Sequence, residues 1–239
     1  MIELTLGCAR VVFTDRHGGT SVAPFDAMNL AGHVGDDPAA VLENSRVLAA
    51  QLGLIDPSGW VRPFHVHGTD VLEITTAPTA ETAPVDGDGA ATAMADLPLV
   101  ALGADCAPIA LANDTAVAAI HAGWRGARDG VVEHGVAALH RLGRGSVRGA
   151  IGPCICVRHY EFGADALEPL VARFGESVAG TTDDGRPAFD LPLALRHALA
   201  EAGVDEVTDT RCCTAESADH YSYRRDGVTG RHGVVVVKR

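Results

Sequence analysis

The chain has 239 residues, of which 47% are hydrophobic, and its formal net charge is −12 at pH 7. That length allows one large domain or two small ones, and it can bury a core without disulfides or a metal ion for bulk stability. The 31 acidic residues outnumber 19 basic ones, and no stretch concentrates lysine or arginine, which argues against a nucleic-acid or membrane surface. A small-molecule substrate is therefore expected.

The N-terminal stretch MIELTLGCARVVFTD is interpreted as a first strand, because it has neither the basic region nor the small-residue cleavage site of a secretory signal. No stretch reaches the roughly 18 to 20 uninterrupted apolar residues that a transmembrane helix needs. We therefore predict a cytoplasmic protein. In a reducing compartment, its six cysteines are expected to be free thiols or metal ligands rather than disulfides.

Three helices are predicted from their end signals and from apolar residues at helical spacing. The first begins at Pro38, after the capping residue Asp37, and ends before Gly53. The other two are predicted at about residues 127–142 and 191–202, the last with Asp190 as its candidate cap. The first helix is expected to form scaffold, whereas the glycine-rich turn before the second could add backbone donors to a phosphate site.

Strands are predicted where short apolar runs lie between turn residues. The runs LPLVALGA, APIALA and AVAAIHA predict a buried sheet with a turn at Asn113 and Asp114, and the run GVVVVKR predicts a last strand. The stretch APTAETAPVDGDGAATAM has the composition of a linker. Neither flank alone shows a complete core, however, so we predict a long surface loop within a single domain of residues 1–239.

Three apolar runs end in metal-ligand residue types and glycine: FHVHGTD, GADCAP and IHAGWRG. Strand ends are rigid, and glycine allows a ligand to approach the backbone closely, which suits a metal site. Together, His67, Cys106 and His121 would form a site with an open fourth position, as catalytic zinc has. Their spacing is not that of a compact zinc finger, and each residue alone is also explained as a packing cysteine or a satisfied histidine.

Nine segments, in this order, resemble the YfiH/DUF152 family, whose members have been called laccase-domain proteins, polyphenol oxidases and purine nucleoside phosphorylases. The segments cover nearly the whole chain: FTDRHGGTS, MNLAGHVGDDPAAVLENS, HVHGTDV, ADCAPIAL, HAGWRG, IGPCI, YEFG, RCCT and YSYRRDGVTGR. The resemblance implies an α+β fold of the YfiH type, with mixed β-sheets flanked by helices. It also implies a zinc enzyme that phosphorolyses adenosine, inosine, guanosine and methylthioadenosine, with adenosine deamination as a further activity.

Residue by residue, the histidine of the family's HG motif falls on His67, the cysteine of its DC motif on Cys106, and the histidine of HAGWRG on His121. The resemblance implies that these are the metal and catalytic positions. Two places before the first metal histidine, where the family usually has glutamine, this chain has His65. If His65 and His67 lie on a strand they share one face, and we expect His65 to replace the glutamine as a hydrogen-bonding group in the substrate pocket.

Further residues are candidates for binding or proton transfer. Arg16 and Arg125 are the predicted phosphate ligands, because guanidinium groups bind phosphate through paired hydrogen bonds. Arg128 is a further candidate. Solvation at the surface is the alternative for each of the three and explains Arg128 at least as well. Asp88 and Asp105 are possible acid or base groups, with a turn network as the alternative for Asp105. The cysteines of GPCIC do not match the zinc deaminase signature, and the pair in RCCT is interpreted as packing thiols.

Three other functions stay open from the sequence. A copper oxidase acting on phenols fits one family name, with Cu²⁺ in place of Zn²⁺, but a multicopper centre needs several HxH segments and this chain has one, at His65 and His67. A metal-free cysteine hydrolase would use Cys106 as nucleophile and His121 as base. The third alternative is a noncatalytic metal-binding module. The oligomeric state is not predicted.

Overall fold

Two β-sheets lie face to face, and helices cover the outer face of each. The computed structural model describes residues 1–79 and 83–239. The strands are β1 (Ile2–Leu6), β2 (Ala9–Phe13), β3 (Val71–Ile74), β4 (Gly89–Thr92), β5 (Leu99–Gly103), β6 (Ala107–Ala112), β7 (Val117–Ala122), β8 (Arg148–Ile151), β9 (Ala179–Thr181), β10 (Pro187–Phe189), β11 (Glu206–Asp209) and β12 (His232–Lys238). The helices are α1 (Pro38–Leu52), α2 (Trp124–Asp129), α3 (Val131–Leu142), α4 (Ala164–Phe174), α5 (Leu191–Glu201) and α6 (Tyr223–Asp226).

The smaller of the two stacked sheets is antiparallel, with strand order β1-β2-β12-β5. The larger has the order β11-β8-β6-β7-β4-β3 and is mixed, because its two outermost pairs are parallel and the others antiparallel. A short hairpin of β9 and β10 stands apart from both. The α+β class with mixed sheets flanked by helices is therefore confirmed.

Strand β12 shows how the layers are filled. Val234 and Val236 pack between the two sheets, whereas Val235 and Val237 belong to the cluster that α1 covers. Because both faces of the strand are buried, the stretch from Val234 to Val237 is apolar at every position instead of alternating between apolar and polar residues. Opposite it, the larger sheet contributes mostly alanines, such as Ala110, and small side chains allow the sheets to approach closely.

The first and last predicted helices are confirmed with their caps. The Asp37 carboxylate accepts the Ala39 N–H at 2.9 Å, and Gly53 ends α1 with a φ of 64°. The Asp190 carboxylate accepts the N–H of Leu193 at 2.9 Å at the start of α5. Both helices were predicted from these capping aspartates, and both aspartates accept the hydrogen bond expected of an N-cap.

Other expectations need correction. The N-terminal stretch is a hairpin of β1 and β2 rather than one strand, with Gly7 at a φ of 56° in the turn. The helix expected at 127–142 is two helices, α2 and α3, because Gly130 has a φ of 103° and ends the first. Helix α4 was not predicted, because its capping residue, Gly163, has no side chain to signal the helix start and because the helix contains Pro169. No helix in the described ranges is long and apolar enough to cross a membrane.

The stretch interpreted as a surface loop contains a buried strand. Residues 80–82 lie outside the described part of the chain, but β4 follows them and is buried at all four positions. A Cβ atom at Gly89 would lie 2.5 Å from Cδ1 of Ile120 in the adjacent β7. The small residues are therefore needed for close packing on β7, which the linker-like composition concealed.

The close approach at Gly89 predicts that Gly89→Ala destabilises the fold, because overpacking of a filled core costs about 1–3 kcal/mol. The free energy of unfolding in urea measures this. Gly32→Ala is the matched control, since Gly32 is exposed and an added Cβ there has no atom within 4 Å, and its effect should stay within about 0.5 kcal/mol. Equal losses in the two variants would contradict the packing argument.

Candidate metal centre

The structure brings His67, Cys106 and His121 together, with their donor atoms within 4.8 Å of one another. Cys106 directly precedes β6, and His121 lies in β7. These two strands pair antiparallel, and the register sets Ala107 opposite Ala122, so the two donors lie at the same edge of the larger sheet. His67 comes from the loop that precedes β3.

The carboxylate of Asp88 joins the His67 loop to β7. It accepts the backbone N–H of His67 at 3.0 Å and that of Gly68 at 2.6 Å. The same carboxylate lies 2.8 Å from Nδ1 of His121, and its side chain is completely buried. Because Nδ1 of His121 is engaged by Asp88, its Nε2 is left available on the side of Cys106. The geometry makes Asp88 a positioning residue.

The charges of the site stabilise the ionised ligand. Burial raises the pKa of Asp88, but the hydrogen bond and the positive charge of His121 outweigh burial and hold this pKa below its ordinary value. Burial likewise raises the pKa of Cys106, yet His121 and His67 lower it further than burial raises it. Burial lowers the pKa of His121, and the charges of Cys106 and Asp88 raise it above normal. The site therefore favours a thiolate, the form of cysteine that binds metals.

The backbone around the three donors is constrained. His67 has a φ of 60° and Asp105 a φ of 101°, which are sparsely populated values for residues with side chains. A Cβ atom at Gly123 would lie 2.9 Å from Sγ of Cys106 and 3.2 Å from Cδ2 of His67. The glycine of the HAGWRG segment thus leaves the space in which the donors meet.

His65 contacts the centre through His121. Their rings stack with centroids 4.5 Å apart and an interplanar angle of 2°, while His67 meets His121 edge-on at 5.0 Å. The two histidines lie in a loop, so the condition for a shared strand face is not met. Nε2 of His65 is buried without a hydrogen-bond partner, and burial, with the charge of His121, holds its pKa well below the usual range. His65 also lines a cavity of about 300 Å³ together with Phe64.

The two predicted phosphate ligands have other contacts in this structure. Arg125 is exposed on α2, and its guanidinium lies 4.4 Å from the centroid of the Trp124 ring. Arg16 donates to the backbone oxygen of Asp26 at 2.8 Å and stacks on Tyr221. Substrate binding by Arg16 and Arg125 remains a prediction.

A larger cavity, of about 650 Å³, does not coincide with the three donors. It is lined by residues of α1 such as Val41, and by Trp60 and Leu72. None of the three metal-site residues lines it. The larger cavity and the metal-ligand group are therefore separate features of the structure.

Asp105 points into a turn network, which was the alternative to an acid or base role. Its carboxylate accepts the hydroxyl of Thr214 at 2.6 Å and the backbone N–H of Arg224 at 2.6 Å. Its carbonyl accepts the N–H of Ile155 at 3.0 Å. The residue before Cys106 is thus held by three segments from the C-terminal half of the chain.

Sequence reasoning missed a second group of metal-ligand residue types. Cys156, His159, Cys213 and Glu216 have donor atoms within 4.8 Å of one another. The available signal was the repeated spacing C-x-x-H and C-x-x-E, because residues three apart lie on the same side of a tight turn. The interpretation of Cys213 as a packing thiol describes its burial but not these neighbours.

Residues 10–239 match the profile of a family described as multi-copper polyphenol oxidoreductase laccase. The chain belongs to this laccase-domain family, also known as YfiH/DUF152.

Two relatives and one solved structure show the extent of the similarity. A purine nucleoside phosphorylase of Streptomyces coelicolor is 39% identical over 231 residues, which are 95% of this chain and 94% of the relative. A purine nucleoside phosphorylase of Streptomyces griseus is 42% identical over 233 residues, covering 94% and 92% of the two chains. The crystal structure of the DUF152 protein NMB0706 from Neisseria meningitidis has a TM-score of 0.87 at 29% identity, covering 99% of this chain and 98% of its own.

The role of Asp88 predicts that Asp88→Asn weakens Zn²⁺ binding at the three-donor site by about 10–100-fold, as loss of a ligand-orienting partner commonly does. Competition with a chromophoric chelator measures the affinity, and circular dichroism checks the fold. Asp86→Asn is the matched control, because Asp86 is exposed and two residues away. Unchanged affinity in folded Asp88→Asn would contradict the positioning role.

Proposed function

We propose that the chain is a purine nucleoside phosphorylase that uses a zinc ion held by His67, Cys106 and His121. The observation that carries the proposal is the meeting of two imidazoles and a thiol at one sheet edge. Relatives that cover nearly the whole chain bear the name of this activity. Three protein donors leave one position open, as in catalytic zinc sites.

The proposed substrates are adenosine, inosine, guanosine and methylthioadenosine, with phosphate as cosubstrate and adenosine deamination as a second activity. The neutral, partnerless nitrogen of His65 supports a role in nucleoside binding, since a buried polar atom gains from a ligand hydrogen bond. Arg16 and Arg125 are proposed to bind phosphate. We further propose a single cytoplasmic domain over residues 1–239 that binds small molecules rather than nucleic acid or membranes, which the net charge of −12 supports.

The donor set supports zinc over a multicopper centre. Imidazole and thiolate are the ligand types that zinc prefers. The donor groups found in the described residues contain two histidines and one cysteine, or one histidine, two cysteines and one glutamate. Each suits one ion, whereas a copper centre that oxidises phenols requires several histidine-rich segments.

In the proposed reaction, an oxygen of phosphate forms a bond to C1′ as the bond from C1′ to the purine nitrogen breaks. The bonding electrons leave with the base, which then takes a proton. A bound zinc ion would supply Lewis-acid polarisation. The protein's own residues orient the site: Asp88 fixes the His121 ring, His65 stacks on it, and Gly123 leaves room beside Cys106.

We expect inosine and phosphate to yield hypoxanthine and ribose 1-phosphate, with base release suppressed when phosphate is omitted. With adenosine, chromatography distinguishes adenine, the phosphorolysis product, from inosine, the deamination product. His121→Ala should abolish the reaction and lower the zinc content, because it removes a proposed ligand.

His140→Ala is the matched control, since His140 is exposed on α3, and it should retain both activity and zinc. If folded, zinc-loaded protein releases neither base nor inosine, the nucleoside assignment is wrong. If stoichiometric copper copurifies and phenols are oxidised, the oxidase alternative replaces it.

One observation favours a second candidate function, a metal-free cysteine hydrolase. His121 stabilises the negative charge of Cys106, so that the pKa of this thiol lies below normal despite burial. A thiolate beside a histidine is the arrangement of a cysteine nucleophile and its base.

Alkylation separates the two functions. If Cys106 binds zinc, its reaction with iodoacetamide should be slow in the metal-loaded protein and faster after chelation, because a coordinated thiolate is shielded. Mass spectrometry of the peptide that contains Cys106 gives the rate. Rapid alkylation that ignores the chelator and abolishes activity would favour the hydrolase.

A further inference from the structure

We propose that Cys156, His159, Cys213 and Glu216 form a second, structural zinc site, here called the C-x-x site. Their four donor atoms lie within 4.8 Å of one another. Nε2 of His159 lies 3.0 Å, and Sγ of Cys156 3.4 Å, from Oε1 of Glu216. A tetrahedral zinc ion separates its donors by roughly 3.3–3.8 Å, given its bond lengths to sulfur, nitrogen and oxygen, so small side-chain adjustments suffice.

The backbone presents the four donors in two similar turns. The N–H of His159 donates to the carbonyl of Cys156 at 3.1 Å, and the N–H of Glu216 donates to the carbonyl of Cys213 at 3.2 Å. Each bond spans three residues, a geometry that places the first and fourth side chains on one side. Two C-x-x pairs thus face each other, as in many structural zinc sites.

The two turns are fixed relative to each other. They follow β8 and β11, which are parallel neighbours in the larger sheet. Beyond the strand ends, the N–H of Cys154 donates to the carbonyl of Cys212 at 3.1 Å, and the N–H of Thr214 donates to the carbonyl of Cys154 at 3.1 Å. The donors therefore lie on a scaffold that exists before any ion binds.

The charges match a divalent cation. Two thiolates and one carboxylate carry three negative charges, and a zinc ion together with the guanidinium of Arg158, 2.6 Å from Oε2 of Glu216, supplies three positive charges. The backbone N–H of Cys156 donates to Sγ of Cys213 at 3.2 Å. Thiols exclude Ca²⁺ and Mg²⁺, which prefer oxygen donors.

An ion can reach this site and would act on the first centre through the backbone. Glu216 is exposed, and Cys156 and Cys213 line a cavity of about 370 Å³. Ile155 and Thr214, each adjacent to one of these cysteines, both hydrogen-bond to Asp105, next to Cys106. Zinc in the C-x-x site would therefore stabilise the segments that position a ligand of the first centre.

Zinc content by mass spectrometry tests the proposal on protein purified in reductant without added metal. We expect about two zinc ions per chain in the unmodified protein, and about one in Cys156→Ser, His159→Ala and Cys106→Ala. The double variant Cys106→Ala/Cys156→Ser should hold none. Cys212→Ser, next to Cys213 but outside the group, is the matched control and should retain both ions. His159→Ala covers the case in which a cysteine variant fails to fold.

Cobalt substitution isolates the C-x-x site from the first centre. In Cys106→Ala, bound Co²⁺ should still show the visible absorption of tetrahedral cobalt with thiolate ligands, and the double variant should lose it. One zinc per chain that disappears completely in Cys106→Ala would overturn the proposal. It would also be overturned if Cys156 and Cys213 became alkylatable only after reduction and not after chelation, since they would then form a disulfide.

Discussion

The buried carboxylate of Asp88 is the contact on which the candidate centre depends. It joins two parts of the chain, because it accepts the backbone N–H groups of residues 66–68 and lies against the ring of His121 in β7. The backbone N–H of Asp88 also donates to the carbonyl of Asp70 in the same loop. A buried charge of this kind is unfavourable unless its hydrogen-bonding capacity is filled. The loop that carries His67 is therefore held in one conformation by the requirement to satisfy Asp88, and the three donors meet as a consequence.

The stacking of the two sheets determines where the three donors can lie. The alanine-rich face of β6 and β7 packs against the smaller sheet, while their other face carries larger residues such as Ile109 and Ile120 under the helices. Both strands are consequently buried throughout. Polar side chains are confined to strand ends, where Cys106 and His121 lie, so two of the three donors are attached directly to the buried sheet.

Much of this arrangement was accessible from the sequence. Capping residues gave α1 and α5, and the apolar runs gave β5, β6 and β7 at nearly their observed bounds. The hairpin of β6 and β7 also explains why Cys106 and His121, fifteen positions apart, could be grouped. Tertiary contacts decided the rest: β4 is short and rich in glycine and alanine because it packs against Ile120, and no local pattern shows that.

Residues whose roles depend on contacts with distant segments of the chain were the hardest to predict. Asp88 stands in a segment whose composition resembles a loop, and its function depends on partners from two other segments. His65 was expected to be a hydrogen-bonding group, and its stacking on the ring of His121 from a loop was not predicted. The C-x-x site shows the same limit, because Cys156 and Cys213 become neighbours only through the parallel pairing of β8 with β11. The spacing of residues within one segment could be interpreted from the sequence, whereas the pairing of distant segments could not be predicted from it.

The position of β12 between β2 and β5 has a consequence for the order of folding. The smaller sheet cannot join its two halves until β12, formed by residues 232–238, has been synthesised, because β2 and β5 have no hydrogen bonds to each other. The strands β4, β6 and β7, by contrast, are close in sequence and can pair much earlier. Contacts between distant residues form slowly, and the alanine face of β6 and β7 would remain uncovered during that interval. Nascent chains of this protein are thus expected to need protection from aggregation until the last strand is inserted.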